Sequence, residues 1–346
     1  MPLRPLYGHD LARAHLSGAL HSGRLPQALL FEGPRGVGKQ RLALWLAQAL
    51  LCEEGRPGES CETCRACRLV STLSHPDLHW FIPLEPNKKG ADADKQVELA
   101  EAALGEELAQ RRECPLYEPL SGMAAHSVAA VRLLLRRLVF TPAIGRRKVF
   151  IIGDAERLIS QQASPEAANA LLKALEEPPE DTVFVLTAAE PDALLPTILS
   201  RVVRVRLQRI PDSVVTSFVH NELQSLTDVG QMVDEAEGSI GRLLALTGPS
   251  GTGKGDAAAA FLVSLRGNAA DRYAAALRQT PFQARGGFTD MLDGLLERLR
   301  REARAGGETR RIADAIALVM EAREHAQGNV NPQLLAAVLA DGMAEA

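Results

Sequence analysis

Ala28-Leu29-Leu30-Phe31-Glu32-Gly33-Pro34-Arg35-Gly36-Val37-Gly38-Lys39-Gln40 decides the fold. The apolar run Ala28 to Glu32 predicts a buried strand, and Arg41 to Leu51, rich in leucine and alanine, predicts a helix. Between them, Gly33-x4-Gly38-Lys39 has the spacing of a P-loop, in which glycines let backbone N–H groups wrap phosphate oxygens and the lysine adds charge. Gly33, Gly36, Gly38 and Lys39 are the candidate nucleotide-binding residues. The next position should carry the hydroxyl that binds magnesium, and it is Gln40.

Working outward, Leu78 to Ile82, Lys148 to Ile152, Thr182 to Leu186 and Val202 to Leu207 are further short apolar runs bounded by turn formers or charges. Their alternation with helical patterns predicts an α/β domain with a parallel sheet. One such helix, Asn169 to Glu177, is stopped by Pro178-Pro179. The strand ending at Ile152 should be tipped by the acidic pair that positions magnesium and the attacking water, but it reads Gly153-Asp154-Ala155-Glu156. In one register Gly153 replaces the metal-binding acid and Asp154 stands where a glutamate belongs; in the other, Ala155 replaces that glutamate. Together with Gln40, this predicts a degenerate pocket that does not hydrolyse ATP and binds ATP or ADP weakly or not at all.

A chain of 346 residues predicts two or three domains. With 46% hydrophobic and 24% charged residues it is globular, and 4% aromatics leave few rings for stacking on bases. A net charge of -4 gives no global attraction to DNA or to an anionic membrane. The N-terminal residues lack a signal-length apolar core, and the oily stretch Leu42 to Cys52 is interrupted by Gln48, so a cytoplasmic protein without a membrane segment is expected. Past Gln208 helical patterns replace strands, which divides the chain into an α/β domain (1–207), a small helical domain (208–248) and a larger all-α domain (249–346). Pro83 to Pro119 reads as an insertion, with a helix over Asp94 to Arg112 and no chemical role. Gly248 to Gly255 repeats the P-loop spacing, but it follows the helical run Ile240 to Leu246 and reads as an inter-domain linker.

Cys52-x8-Cys61-x2-Cys64-x2-Cys67 supplies four thiolates, the set that a structural zinc takes with no position left open for catalysis. Part of an iron-sulfur run, with Cys114-Pro115 nearby in sequence, is the alternative. Four unligated thiols fit less well, because Glu53, Glu54, Arg56, Glu59, Glu62 and Arg65 make the segment too polar to bury them unaided.

Leu195 to Val202 places Arg201 at a helix end, on the rim of the sheet. In nucleotide-driven rings, an arginine in such a place reaches the terminal phosphate on the next subunit; the alternative is a salt bridge on its own surface. Arg132, Arg136, Arg137, Arg146, Arg147 and Lys148 offer contacts to DNA phosphates or form a solvated helix face, and the pattern favours the face.

Leu25 to Phe31 with the P-loop, the four cysteines, His75-Pro76-Asp77, Ala168 to Pro179, Leu195 to Arg201 and Asn329-Val330-Asn331-Pro332 together span nearly the whole chain. They resemble the bacterial clamp-loader subunits of the AAA+ superfamily, most closely the delta-prime family of DNA polymerase III. The resemblance implies a five-stranded AAA+ domain, a helical lid over 208–248 and a C-terminal oligomerisation collar over 249–346. It implies a pentameric ring with motor (gamma/tau) and delta subunits that loads the sliding clamp onto primer-template DNA. Within that ring it implies a stator, not an enzyme on its own but a non-catalytic part of the polymerase III holoenzyme. Its Ser-Arg-Cys motif acts on the neighbouring motor's phosphate; here the motif reads Ser200-Arg201-Val202. The family's lid motif Gly-Ser-x-Arg reads Gly238-Ser239-Ile240-Gly241, so its phosphate-sensing arginine is gone or displaced to Arg242. Ile159 to Pro165 is longer than the family usually shows. The rival within the resemblance is an active gamma/tau-type ATPase, against which Gln40, Gly153 and Gly241 argue.

Overall fold

The structure, a computed structural model, describes residues 5–345 except 57, 86–91, 114–123, 159–165, 224–228, 248–250, 280–286, 305, 307–308 and 328–329. The described chain forms two compact units, one up to Leu244 and one from Ala245.

The first unit begins with α1 (Asp10–His21), β1 (Ala28–Glu32), α2 (Lys39–Leu51), α3 (Arg65–Ser71) and β2 (Leu78–Phe81). It continues with α4 (Ala93–Glu113), α5 (Val128–Leu138), β3 (Lys148–Ile152), α6 (Glu166–Glu176) and β4 (Thr182–Ala188). Then come α7 (Pro196–Leu199), β5 (Val203–Arg206), α8 (Asp212–Glu222) and α9 (Val229–Ala236), and α10 (Ile240–Thr247) carries the chain to the boundary. The strands lie in the order β2-β3-β4-β1-β5, all parallel. All of the strands expected from sequence are present, and β1, β3 and β4 are buried along their whole length. Helices covering both faces explain why these strands read as unbroken apolar runs rather than alternating ones. Leu30, Phe31, Phe150, Ile151, Phe184 and Val185 are fully enclosed in that core.

The carboxyl ends of the strands form the crevice in which such sheets bind ligands. The P-loop leaves β1 there, Asp154 follows β3, and Thr187 lies near the end of β4. Asp77, of the His-Pro-Asp stretch, accepts backbone N–H groups from Ala143, Ile144 and Gly145 at 2.5, 2.9 and 3.1 Å, which pins the turn entering β3. Residues 210–243 surround a small apolar cluster of their own, including Ile210, Val215, Phe218, Val233 and Leu243.

The second unit is helical: α11 (Gly251–Leu265), α12 (Ala269–Leu277), α13 (Thr289–Arg304), α14 (Thr309–Gln327) and α15 (Pro332–Glu345). They enclose Phe261, Leu292, Leu295, Val319, Ala336 and Leu339. Asn331 starts α15, its Oδ1 accepting the Gln333 N–H at 2.8 Å, with Pro332 as the first helical residue.

The second P-loop spacing is not a linker throughout. Gly251 to Gly255 begin α11 despite three glycines, which disfavour helix, while residues 248–250 lie outside the described residues. The stretch 159–165, Cys114 and Asn329 also lie outside them.

Candidate functional site

At the P-loop, the lysine is turned onto its own loop. Lys39 is buried, and its Nζ donates to the carbonyls of Gly33 and Pro34, each at 2.8 Å. Burial lowers its pKa, opposed by the nearby carboxylates of Asp154 and Glu156. Gln40 uses both ends of its amide: Nε2 donates to Asp154 Oδ2 at 3.2 Å and Oε1 accepts from Arg111 Nη1 at 3.3 Å. A Cβ on Gly153 would lie 2.8 Å from Gln40 Nε2, so the two departures from the magnesium-binding pattern fit each other. Asp154 is thus the acid facing position 40, and buried Ala155 follows it where the other register would place a glutamate.

The segment leading into α10 packs on the same loop. Gly241 N–H donates to Gly36 O at 2.9 Å and Ser239 Oγ to Arg35 O at 3.0 Å. A Cβ on Gly241 would meet Gly36 Cα at 2.6 Å, so this approach of two backbones requires glycine there. Arg242, the other candidate for a sensing arginine, pairs with Glu237 at 3.2 Å. Behind the pocket, His126 Nε2–H donates to Gly153 O at 2.7 Å, and burial pushes its pKa down to about 4. Burial, then the charge of Asp154, raises the pKa of Glu156, whose Oε1 accepts the Ala189 N–H at 3.1 Å.

Cys52, Cys61, Cys64 and Cys67 converge, with their sulfurs all within 4.8 Å of one another. Cys52–Cys64 and Cys61–Cys67 are each 3.9 Å apart, too far for a disulfide at ~2.05 Å and close to the ~3.8 Å that four ~2.3 Å metal–sulfur bonds set in a tetrahedron. The surroundings fit a metal. Backbone N–H groups of Gly55, Cys64 and Cys67 donate to the sulfurs of Cys52, Cys61 and Cys64 at 3.0, 3.3 and 3.4 Å. A Cβ on Gly55 would stand 2.9 Å from Cys52 Sγ. The Cys64 N–H pulls Cys61 down to about 6, whereas burial pushes Cys67 up. Cys64 also caps α3, so the knuckle and the helix are built together.

Arg201 stands on the rim. Its Nε donates to Glu176 Oε1 at 2.7 Å, Nη2 reaches the same oxygen, and Nη1 donates to Thr197 O at 2.7 Å and Ser200 Oγ at 3.1 Å. Three of the six residues of the basic patch are held, Arg136 by Asp94, Arg137 by Glu101 at 2.6 Å, and Lys148, buried, with its Nζ on the carbonyls of Leu138 and Phe140, while Arg132, Arg146 and Arg147 are exposed. Arg136 and Arg137 thus lie on a face of α5 paired with α4.

The insertion, to which the sequence assigns no chemistry, packs on the helix that follows the P-loop. Its helix α4 carries Arg111, buried over the Trp80 ring at 4.5 Å, next to Glu107 at 3.4 Å, and reaching Gln40. The signal was there: Val97, Ala100, Leu104, Glu107 and Arg111 share one helical stripe, and all are buried. Charged side chains on an apolar stripe need partners, and the partner here is the phosphate loop's helix.

The parallel five-stranded sheet, the P-loop spacing after β1 and the helical segment closing on it define an α/β domain of P-loop type. The family model described as "DNA polymerase III, delta subunit" matches residues 8–211, and the chain belongs to that family. Among curated proteins it is similar to the DNA polymerase III subunit delta' of Bacillus subtilis, 35% identical over 186 residues, 54% of this chain and 43% of that protein. It is similar also to the DNA polymerase III subunit gamma/tau of Mycobacterium bovis, 33% identical over 194 residues, 56% of this chain and 26% of that protein. The chain therefore spans less than half the length of these curated relatives. Among solved structures, a gamma subunit-related protein of Thermotoga maritima aligns with 95% of this chain and 98% of its own, at 15% identity and a TM-score of 0.46.

Proposed function

We propose that this chain is a non-hydrolysing clamp-loader subunit that supplies Arg201, beside Ser200, to the terminal phosphate held by an adjacent gamma/tau-type motor. In this reading residues 1–207 are the AAA+ domain, 208–248 the lid and 249–346 the collar of a pentameric ring with motor and delta subunits. The ring places the sliding clamp on primer-template DNA. The reading is supported by one contrast: the cation of Lys39 is turned onto its own loop, while the cation of Arg201 is displayed on the rim. A guanidinium neutralises charge developing on a transferred phosphoryl group, which an inward-facing lysine without a magnesium seat cannot do.

The residues Gly33, Gly36, Gly38 and Lys39 keep the shape of a nucleotide site, with ATP or ADP held weakly or not at all. Cys52, Cys61, Cys64 and Cys67 hold a structural zinc, which fixes the loop between α2 and α3. The chain works in the cytoplasm. A second reading, an active gamma/tau-type ATPase, draws on the intact glycine spacing and on the gamma/tau relative. ATP turnover separates the two: the isolated chain stays at the buffer control, whereas ~1 per second, ordinary for phosphoryl-transfer enzymes, would establish the ATPase. For the knuckle, Cys61→Ser lowers zinc content from one equivalent towards none by metal analysis; unchanged content would remove the ligand assignment.

A further inference from the structure

Resting on the reading above, we infer that Glu176 is the positioning residue of Arg201: it holds the guanidinium by its side edge and leaves the end edge for a phosphate on another polypeptide. A guanidinium presents two forks, one made by Nε and Nη2 and one by Nη1 and Nη2. The first is filled, both nitrogens donating to Glu176 Oε1. Nη1 is steadied by Thr197 O at 2.7 Å, a carbonyl at the end of α7, where a cation is favoured. Nη1 also donates to Ser200 Oγ at 3.1 Å, a hydroxyl that rotates and is easily exchanged for an incoming oxygen. The Arg201 side chain is 30% exposed, so it is within reach of solvent while Glu176 holds its side edge.

Glu176 is placed for this and gains little otherwise. It is the last residue of α6, where the helix dipole disfavours a carboxylate. Pro178-Pro179 forbid a further turn, which fixes the carboxylate at the rim. The chain separation of 25 residues between the two partners spans β4 and α7, so the pair exists only once the sheet has formed. Holding a long side chain in one rotamer before the phosphate arrives is how positioning raises a rate without touching the reacting atoms.

The test uses the ring reconstituted with the motor and delta subunits, and reads DNA-stimulated ATP hydrolysis with Arg201→Ala, Glu176→Ala, Glu176→Gln and the double variant. Glu176→Ala is expected to lower kcat about tenfold with KM for ATP unchanged, and Glu176→Gln, which keeps an acceptor oxygen, less. The double variant should be no slower than Arg201→Ala alone, since Glu176 acts only through the arginine. Wild-type or faster turnover in Glu176→Ala rings, or a double variant slowed by the product of both effects, overturns the inference. If Arg201→Ala is slow but both Glu176 variants are normal, the positioning role fails and the proposed function stands. If Arg201→Ala is itself silent, both fail. Should Glu176→Ala melt below the wild-type temperature, Glu176→Gln carries the decision.

Discussion

Two cations in one domain, Lys39 in the pocket and Arg201 on the rim, meet opposite fates. Lys39 is buried and donates to two carbonyls of its own loop, whereas Arg201 is partly exposed and held by Glu176. The pocket has refilled itself. Gln40 bridges Asp154 and Arg111, Gly153 leaves room for it, and Gly241 lets the lid touch the loop. The difference teaches that two cations of one domain can be read only with their partners: Lys39 lies on its own loop and Arg201 on a carboxylate of the rim. Arg201, too, has its partners within the chain, in Glu176, Thr197 and Ser200, and on the proposed reading it serves a phosphate on another molecule as well.

Four measurements test that contrast. Arg201→Ala should slow DNA-stimulated hydrolysis by the neighbouring subunit about 10³-fold while leaving the melting temperature of the isolated chain unchanged; equal rates in both rings would erase the distinction. In the interior, acid is the sharpest probe. The pKa of His126 is about 4 in the folded chain against the ordinary 6.5, so its stabilisation is complete above pH 6.5. As pH falls from 6.5 towards 4 the unfolded chain takes up the proton first, and stability declines by ~3 kcal/mol from this group. Denaturant midpoints over that range should fall in wild type and fall less in His126→Gln; parallel profiles would remove the buried histidine from the account.

Smaller effects follow at the lid and the lysine. Gly241→Ala places a methyl against the Gly36 backbone and should cost ~2 kcal/mol, seen as a lower urea midpoint. A neutral Gly241→Ala would mean that the lid is not seated on the loop. Lys39→Met loses two hydrogen bonds but also a buried charge, so the net change should be within ~1 kcal/mol, with ring turnover intact. A tenfold loss of turnover in that variant would show that the lysine meets a phosphate after all.

Much of this was legible from the chain itself. The strands were read because a sheet buried on both faces needs continuous apolar runs, and β1 and β3 match their expected bounds. The four cysteines were read because their spacing is local. The insertion was misjudged because Arg111 looks like any surface arginine until its helix is docked, and only the stripe it shares with Val97 and Leu104 hints at burial. Glu176 was likewise invisible as a partner of Arg201, since no periodicity links residues on α6 and beyond α7.

The sequence by itself determined the strand and helix pattern, the glycine loop with its missing hydroxyl, and the metal-ligand set, because each is written in neighbouring residues or in a short repeat. Only the tertiary structure decided that Gln40 joins Arg111 and Asp154, 71 and 114 positions away, and that Gly241 closes on Gly36. Such pairings depend on how whole helices and the sheet pack. Burial then demands a partner for every polar group, and which partner it finds is settled by the fold and not by distance along the chain.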